Sequence, residues 1–412
     1  MSCNSDKEDI PTLDLSESSF GNIENKGATL SVEIYSNSKW YIANSANWCI
    51  PDKLQGHGNH TLSLRITPNK EQAQRKVTLI ISTDGINKTI EISQQKGDLE
   101  IDVENIHYQL PVIFHVLYKD REDENQYIQQ GHLSEILKQV NRYYQKANCG
   151  VDMNLEFIPA TEDANGNLLL EPGVERIQWD SKTIDCEIFM NNHTGVYTHL
   201  LWEPNNYINI MIYPFTDDRI LGISTFPYTP KDYYLEGTTE VSSPWLTLEN
   251  LKFAYCISIN SSYIYEQSIG GKLNQNDAAI TLAHEIGHFL GLRHIFSEGG
   301  SPSICKDTDF CKDTPTYNRS EYEQWLNGLD KNEKYSLTFL AKRYDCSTGG
   351  FEAHNFMDYA YCLYDEFSPE QRNRVRYILN HSPLIPGPKK WKTDKTTRTT
   401  SGLVDLPICV MQ

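Results

Sequence analysis

The sequence predicts a two-domain chain, an all-β sandwich followed by an α/β domain. Three observations predict it. Apolar residues alternate with polar ones from about residue 21 to 97. Beyond that point the texture changes to near-continuous apolar runs separated by helix-spaced segments. The length of 412 residues suits two or three domains at roughly 100–200 residues each. With 39% hydrophobic and 22% charged residues, the chain can fill packed cores and is neither a disordered tail nor a fibrous repeat.

Residues 1–20 are polar, rich in Ser and Asp, and read as a tether. Cys3 follows the small residue Ser2 and precedes the acid-rich stretch NSDKED, which resembles the mature start of a bacterial lipoprotein. Met1 and Ser2 leave no room for an apolar signal region. On this reading the signal has been cut away. The chain then meets a membrane only through a lipid anchor at Cys3, as an outer-membrane or cell-surface protein facing outward.

Within 21–97, Ala28, Leu30, Val32 and Ile34 alternate with polar residues. So do Leu62, Leu64 and Ile66, then Val77, Leu79 and Ile81, then Ile90 and Ile92. A period of two puts each set on one face of a strand. Turn clusters at Gly56-His57-Gly58-Asn59, Pro68-Asn69 and Asp84-Gly85 separate them. Several short strands in so short a span predict a small antiparallel sandwich. The segments SKWYIANSANWCI, LSLRITPNKEQAQRKVTLIIS and TIEISQQKG resemble a BACON-type domain. The resemblance implies an immunoglobulin-like fold and a glycan as a candidate ligand of this domain. Trp40 and Trp48 could stack on a sugar, although a core position is the ordinary fate of such a Trp and a spacer needs no ligand.

Residues 98–412 read as the second domain. Leu110 to Leu117 (LPVIFHVL) is apolar throughout, as a strand buried on both faces should be. Leu133, Ile136, Leu137 and Val140 carry helical spacing across 131–147. YINIMIYPF at 207–215 is another strand, and ILGISTFP follows it. Strand, helix and strand in this order predict a mixed α/β domain. Ser368-Pro369-Glu370-Gln371 opens a closing helix through Val375, Ile378 and Leu379, with Ser as cap, Pro in the first turn and Gln completing a capping box.

Residues 284–294 read HEIGHFLGLRH and carry the chemistry. His284 and His288 are four apart, so on a helix their imidazoles lie on one face and can share one metal ion. Glu285 is placed to take a proton from a metal-bound water and to pass it to the leaving amine without being a ligand. On an unbroken helix His294 would lie about 9 Å beyond His288 and point about 120° away. Ligand nitrogens about 2.0–2.1 Å from one zinc cannot be so far apart. The helix must therefore bend after Leu290, and Gly291 can take the positive φ that ends it. Three neutral nitrogens and an open fourth position describe a catalytic Zn2+ site rather than a structural one. The expected mechanism is attack of a zinc-bound water on a peptide carbonyl, with no covalent enzyme intermediate.

HExxHxxGxxH followed by the Met-containing turn HNFMDY at 354–359 resembles the metzincin metalloproteases. Within them, LPVIFHVLY, the zinc helix, KDTP at 312–315 and HNFMDYAYC with DEFSPEQRNRVRYIL resemble the pappalysin family. The resemblance implies an α/β metzincin fold over most of 106–380 and a zinc endopeptidase acting on extracellular proteins. It makes Met357 the floor of the site and Tyr359 a catalytic residue that steadies the intermediate. It also implies an edge strand as the upper rim of the cleft, for which Ile220–Phe226 is the candidate, with Gly222 letting a backbone approach. Family disulfides would engage Cys305, Cys311, Cys346 and Cys362, for which three connectivities are open. The acids around 307–313 could hold a structural Ca2+. Residues 383–412 resemble nothing.

The charge balance of 37 basic against 55 acidic residues, −18 overall, with no long basic run, argues against nucleic acid as a partner. No apolar run reaches the ~18 residues of a membrane-spanning helix. Ten Cys with no CxxC pair point to disulfides and an oxidising compartment rather than a zinc ribbon. Cys149-Gly150-Val151-Asp152 looks like a cysteine switch, but it follows the first helix and lacks the expected Pro before the Asp. The alternative to a peptidase is a surface adhesin that binds glycan or protein and uses the peptidase domain only as a scaffold.

Overall fold

The computed structural model describes residues 10–43, 46–69, 73–97, 106–145, 150–163, 166–270, 272–297, 305–346, 349–359, 361–389 and 402–411. Cys3 and most of the tether, and Cys149 of the switch-like segment, lie outside the described residues. The chain divides into two compact units, Met1–Leu99 with Tyr234–Glu236, and Glu100–Tyr233 with Gly237–Gln412.

The first unit holds two sheets. One orders Leu13–Leu15, Ala28–Ser36, His60–Ile66 and Cys49–Pro51; the other orders Ser19–Ile23, Ile86–Gln94, Arg75–Thr83, Lys39–Ala43 and Gln55–His57. Val32, Ile34, Leu62, Leu64, Ile66, Val77, Leu79, Ile81, Ile90 and Ile92 turn inward from both sheets onto one core. The period-two pattern thus sorts each strand into a wet and a dry face. Trp40 belongs to that core, 1% exposed, and its indole N–H donates to the Gly58 carbonyl at 2.9 Å. It offers no face to a sugar. Trp48 is half-buried beneath the Arg75 guanidinium, 4.5 Å from its ring centroid.

The second unit is built on a seven-stranded sheet. In chain order its elements are β1 (Tyr108–Tyr118), α1 (His132–Tyr144), β2 (Leu155–Pro159), β3 (Val174–Gln178), β4 (Ile208–Tyr213), β5 (Gly222–Thr225), β6 (Ile257–Asn260), α2 (Ala278–Phe289), β7 (Lys342–Asp345), β8 (Gly349–Glu352), α3 (Pro369–His381) and β9 (Val410–Met411). The sheet runs β2-β1-β4-β6-β5-β9, with β3 also on β1. β7 and β8 form a separate hairpin. β1 pairs β2, β3 and β4 in parallel, and β4 pairs β6 in parallel. Central parallel strands are covered on both faces, which is why β1 and β4 are apolar almost throughout. β5 reverses direction against β6. α3 begins as its sequence predicts, with Ser368 as cap, Pro369 next and both arms of the capping box formed with Gln371.

Two expectations are corrected here. The 220–226 rim is not open along its whole length, because β9 pairs antiparallel on the outer side of β5, Met411 opposite Ser224 and Val410 opposite Thr225. An unpaired edge is a template for any extended apolar segment, and the sequence LPICVM supplies one. Of the four cysteines expected to pair, only Cys305 and Cys346 are bonded. Cys311 and Cys362 are buried thiols whose Sγ atoms lie against the carbonyls of Asp309 and Asn355, and burial pushes both well above the ordinary thiol pKa.

Candidate metal centre

α2 positions the site. Asp277 caps it, its carboxylate accepting from the N–H groups of Ala279 and Ile280. The helix is buried nearly all round, so its ligands point into a dry interior. It ends in a Schellman motif, in which the N–H of Leu292 donates to the Gly287 carbonyl and the N–H of Gly291 to the His288 carbonyl. Gly291 adopts φ +89°, and a β-carbon there would sit 2.7 Å from Ile378 Cγ1 on α3. The reversal brings His294 back beside α2.

The three imidazoles then converge. His294 Nε2 lies 3.2 Å from His284 Nε2 and 3.0 Å from His288 Nε2. His284 Nδ1 donates to the Phe356 carbonyl at 2.6 Å, and His288 Nδ1 donates to the Leu292 carbonyl at 2.8 Å. Carbonyls only accept, so both Nδ1 atoms carry the proton and the two Nε2 atoms present lone pairs. Tetrahedral ligands about 2.0–2.1 Å from a zinc stand about 3.3 Å apart, close to the separations seen. Burial, with the neighbouring histidines, pulls His288 and His294 well below the ordinary imidazole pKa, which keeps them in the neutral form that ligates. Among the described residues this is the one set of His, Cys, Asp and Glu side chains that meets on a common point. The residues fit a tetrahedral cation with one position open.

Glu285, 3% exposed, stands next to this set, and its Oε2 has no hydrogen-bond partner. Burial pushes its carboxyl well above the ordinary carboxylate range. Its side chain lies against β5, where a β-carbon on Gly222 would come within 2.6 Å of Glu285 Cγ. The glycine of the rim is therefore needed for the glutamate to lie where it does. Met357 is fully buried, and a β-carbon on Gly287 would meet its Sδ at 2.5 Å, so the sulfur packs against α2 at Gly287. The Tyr359 ring lies 4.5 Å from His294 and 5.5 Å from His284, with the Arg319 guanidinium 4.4 Å from its centroid.

No local pattern marks what holds that tyrosine in place. Arg343, on β7, donates to the Tyr359 carbonyl at 3.1 Å and faces the Asp358 carboxylate at 3.6 Å, both side chains fully buried. Asp358 also accepts from the Tyr317 hydroxyl and from the Tyr359 N–H at 2.7 Å. Arg343 lies over the Tyr322 ring, 3.6 Å from its centroid. β7 ends next to Cys346, so the disulfide ties down the hairpin that supplies the arginine.

Residues 191–380 match the M43 peptidase family, described as pregnancy-associated plasma protein-A. This stretch is similar to the pappalysin family. All three histidines, Glu285, Met357 and Tyr359 fall inside it. Residues 25–95 match the BACON family, described as an N-terminal binding domain. An extracellular metalloprotease of Arthroderma benhamiae is 27% identical over 252 residues, covering 60% of this chain and 70% of that one. One of Arthroderma otae is 26% identical over 251 residues, with the same coverage. One of Aspergillus oryzae is 38% identical over 110 residues, 26% of this chain and 30% of that one. Similarity to a metalloprotease family implies a metal, for which this chain has the histidine set just described.

The acids at 307–313 are turned to the loop's own needs. Asp307 accepts from the N–H groups of Asp309 and Phe310, Asp309 from Cys311 N–H and the Thr314 hydroxyl, and Asp313 from Ser368 and Glu370. Burial, opposed by the Thr314 and Cys311 bonds, pushes the Asp309 carboxyl up to about 8. The folded chain then keeps a proton that the unfolded chain has already lost above the ordinary carboxylate range. Stability is therefore expected to decline as pH rises through about 8 and to be complete below the unfolded value. Melting temperatures across that interval check this, and Asp309→Asn should flatten the profile.

The Gly291 turn carries a second expectation. Gly291→Ala forces a side chain into positive φ and against Ile378, at a cost of about 1–3 kcal/mol. Because the turn delivers His294, zinc affinity in chelator competition should fall with it. An alanine variant binding zinc like the parent would mean that His294 reaches its position without this turn.

Proposed function

We propose that the chain is a zinc-dependent metzincin endopeptidase that acts on extracellular proteins at a bacterial surface. The observation that carries the reading is the convergence of His284 and His288 on His294 at 3.2 and 3.0 Å, with the Nε2 lone pairs of His284 and His288 inward and the buried Glu285 alongside. A zinc held there would supply a Lewis acid that polarises a carbonyl and makes water acidic at neutral pH. Glu285 accepts the water's proton at its free Oε2 and returns it to the leaving amine. Tyr359, beside His294 and His284, offers its hydroxyl to the developing oxyanion. Met357 holds the underside of the site apolar and fixed. The family match and the extracellular relatives support the peptidase assignment. The surface location rests on Cys3, and the N-terminal unit serves on this reading as an immunoglobulin-like spacer.

The test is a cleavage-site map on a diverse peptide mixture, read by mass spectrometry, with zinc content measured on the same sample. Internal cuts that vanish with a chelator and return with zinc are expected. Zinc bound without any cut would move the assignment to the adhesin.

A further inference from the structure

The outer edge of β5 already has an occupant. Residues 402–411 approach it by way of Asn250 and Tyr228, and Cys409–Met411 lie along its Ser224–Phe226 end. The Asn250 side-chain amide donates to the Gly402 carbonyl at 2.7 Å, and the Val404 N–H donates to the Asn250 carbonyl at 3.0 Å. Further on, the Tyr228 hydroxyl donates to the Pro407 carbonyl at 2.7 Å and the Phe226 N–H to the Cys409 carbonyl at 2.8 Å. The segment then becomes β9, antiparallel to β5, with Val410 opposite Thr225 and Met411 opposite Ser224. In this register the strand heads towards Gly222, whose α-carbon backs onto Glu285. At about 3.4 Å per residue, Met411 stops about 7 Å along the ladder from Gly222.

An exposed strand edge beside a hydrolytic centre is the place where an extended peptide adds by main-chain hydrogen bonds. One edge cannot complete two ladders at once. We propose that 402–411 is an autoinhibitory strap, an internal peptide that holds the substrate edge of β5 and must leave before a long peptide can lie across Glu285. The inference rests on the peptidase reading of the site. The strap is built to leave. None of its ten residues is buried, whereas Ser224 and Thr225 beneath it are at most 1% exposed. A segment held by a few backbone bonds and little buried apolar surface opens at low free energy. Its tether to the same chain keeps its effective concentration high, so a competing peptide sees only the open fraction of the enzyme.

The test uses the full chain, a variant ending at residue 401, and a full-length variant carrying Val410→Pro with Met411→Pro, which cannot complete the ladder. On an internally quenched decapeptide, both variants should show kcat/KM higher by about tenfold or more, as expected if the open fraction is about a tenth. A synthetic peptide of sequence GLVDLPICVMQ should inhibit the shortened enzyme competitively. Equal, measurable rates in all three proteins, or no competition by the peptide against a measurable rate, would overturn the strap. Binding of a fluorescent decapeptide to the same three proteins in the Glu285→Ala background reads the edge without turnover. Tighter binding after strap removal is expected there too. If that binding difference appears while no protein cuts any peptide, the strap stands and the peptidase reading falls.

Discussion

Glu285→Ala is expected to retain zinc and to lose turnover by about 10²–10⁴-fold, the contribution typical of a positioned general base. The side chain is 3% exposed, its Oε2 is unbonded, and it stands outside the converging histidine set. Its removal therefore takes away a proton acceptor and no ligand. A buried carboxyl with an unsatisfied oxygen also costs folding free energy, so the variant should melt no lower than the parent. Zinc content, melting temperature and kcat together distinguish a lost base from a damaged fold. Full activity in a zinc-loaded Glu285→Ala protein would end the general-base assignment, and loss of zinc with activity would make Glu285 a structural part of the site.

Arg343→Ala carries the largest expected effect on stability. The substitution strips a fully buried guanidinium from the Asp358 carboxylate and leaves that charge in a dry interior, a change costing about 3–5 kcal/mol. Burial already pushes the Asp358 carboxyl up, and Arg343 is the first influence opposing that rise. The same substitution removes the donor to the Tyr359 carbonyl, so kcat should fall in the protein that remains folded. Arg343→Lys keeps the charge but not the fork that serves Asp358, the Leu340 carbonyl and the Tyr359 carbonyl together, and should lie between the two. Denaturant unfolding gives the stability and a peptide assay the rate. An alanine variant as stable as the parent would show that Asp358 finds another partner.

The legible parts of this chain were those written in local repeats. Strands such as Arg75–Thr83 and Ile208–Tyr213 follow from period-two alternation and from continuous apolar runs, because a residue's face in a strand depends only on its position. The α3 cap was legible because Ser368 and Gln371 satisfy each other within one turn. The histidine set was legible for the same reason. Helical geometry aligns His284 with His288, and the failure of that geometry at His294 demanded the bend that Gly291 makes.

Partners far apart in sequence were not legible. Arg343 lies 15 residues from Asp358, and Tyr317 lies 41 from it, and nothing in either spacing marks the contact. Which of Cys305, Cys311, Cys346 and Cys362 would bond turned on where the chain carried each sulfur, and two stayed thiols. A strand was legible within 220–226, but the segment that pairs with its outer side lay far away in sequence. Local sequence thus determined the elements and the histidine trio, since period, caps and turns act over a few residues. The tertiary structure alone decided that a buried arginine holds Tyr359 and that 402–411 covers the edge of β5, because long-range pairing depends on where the packed core brings separate segments together.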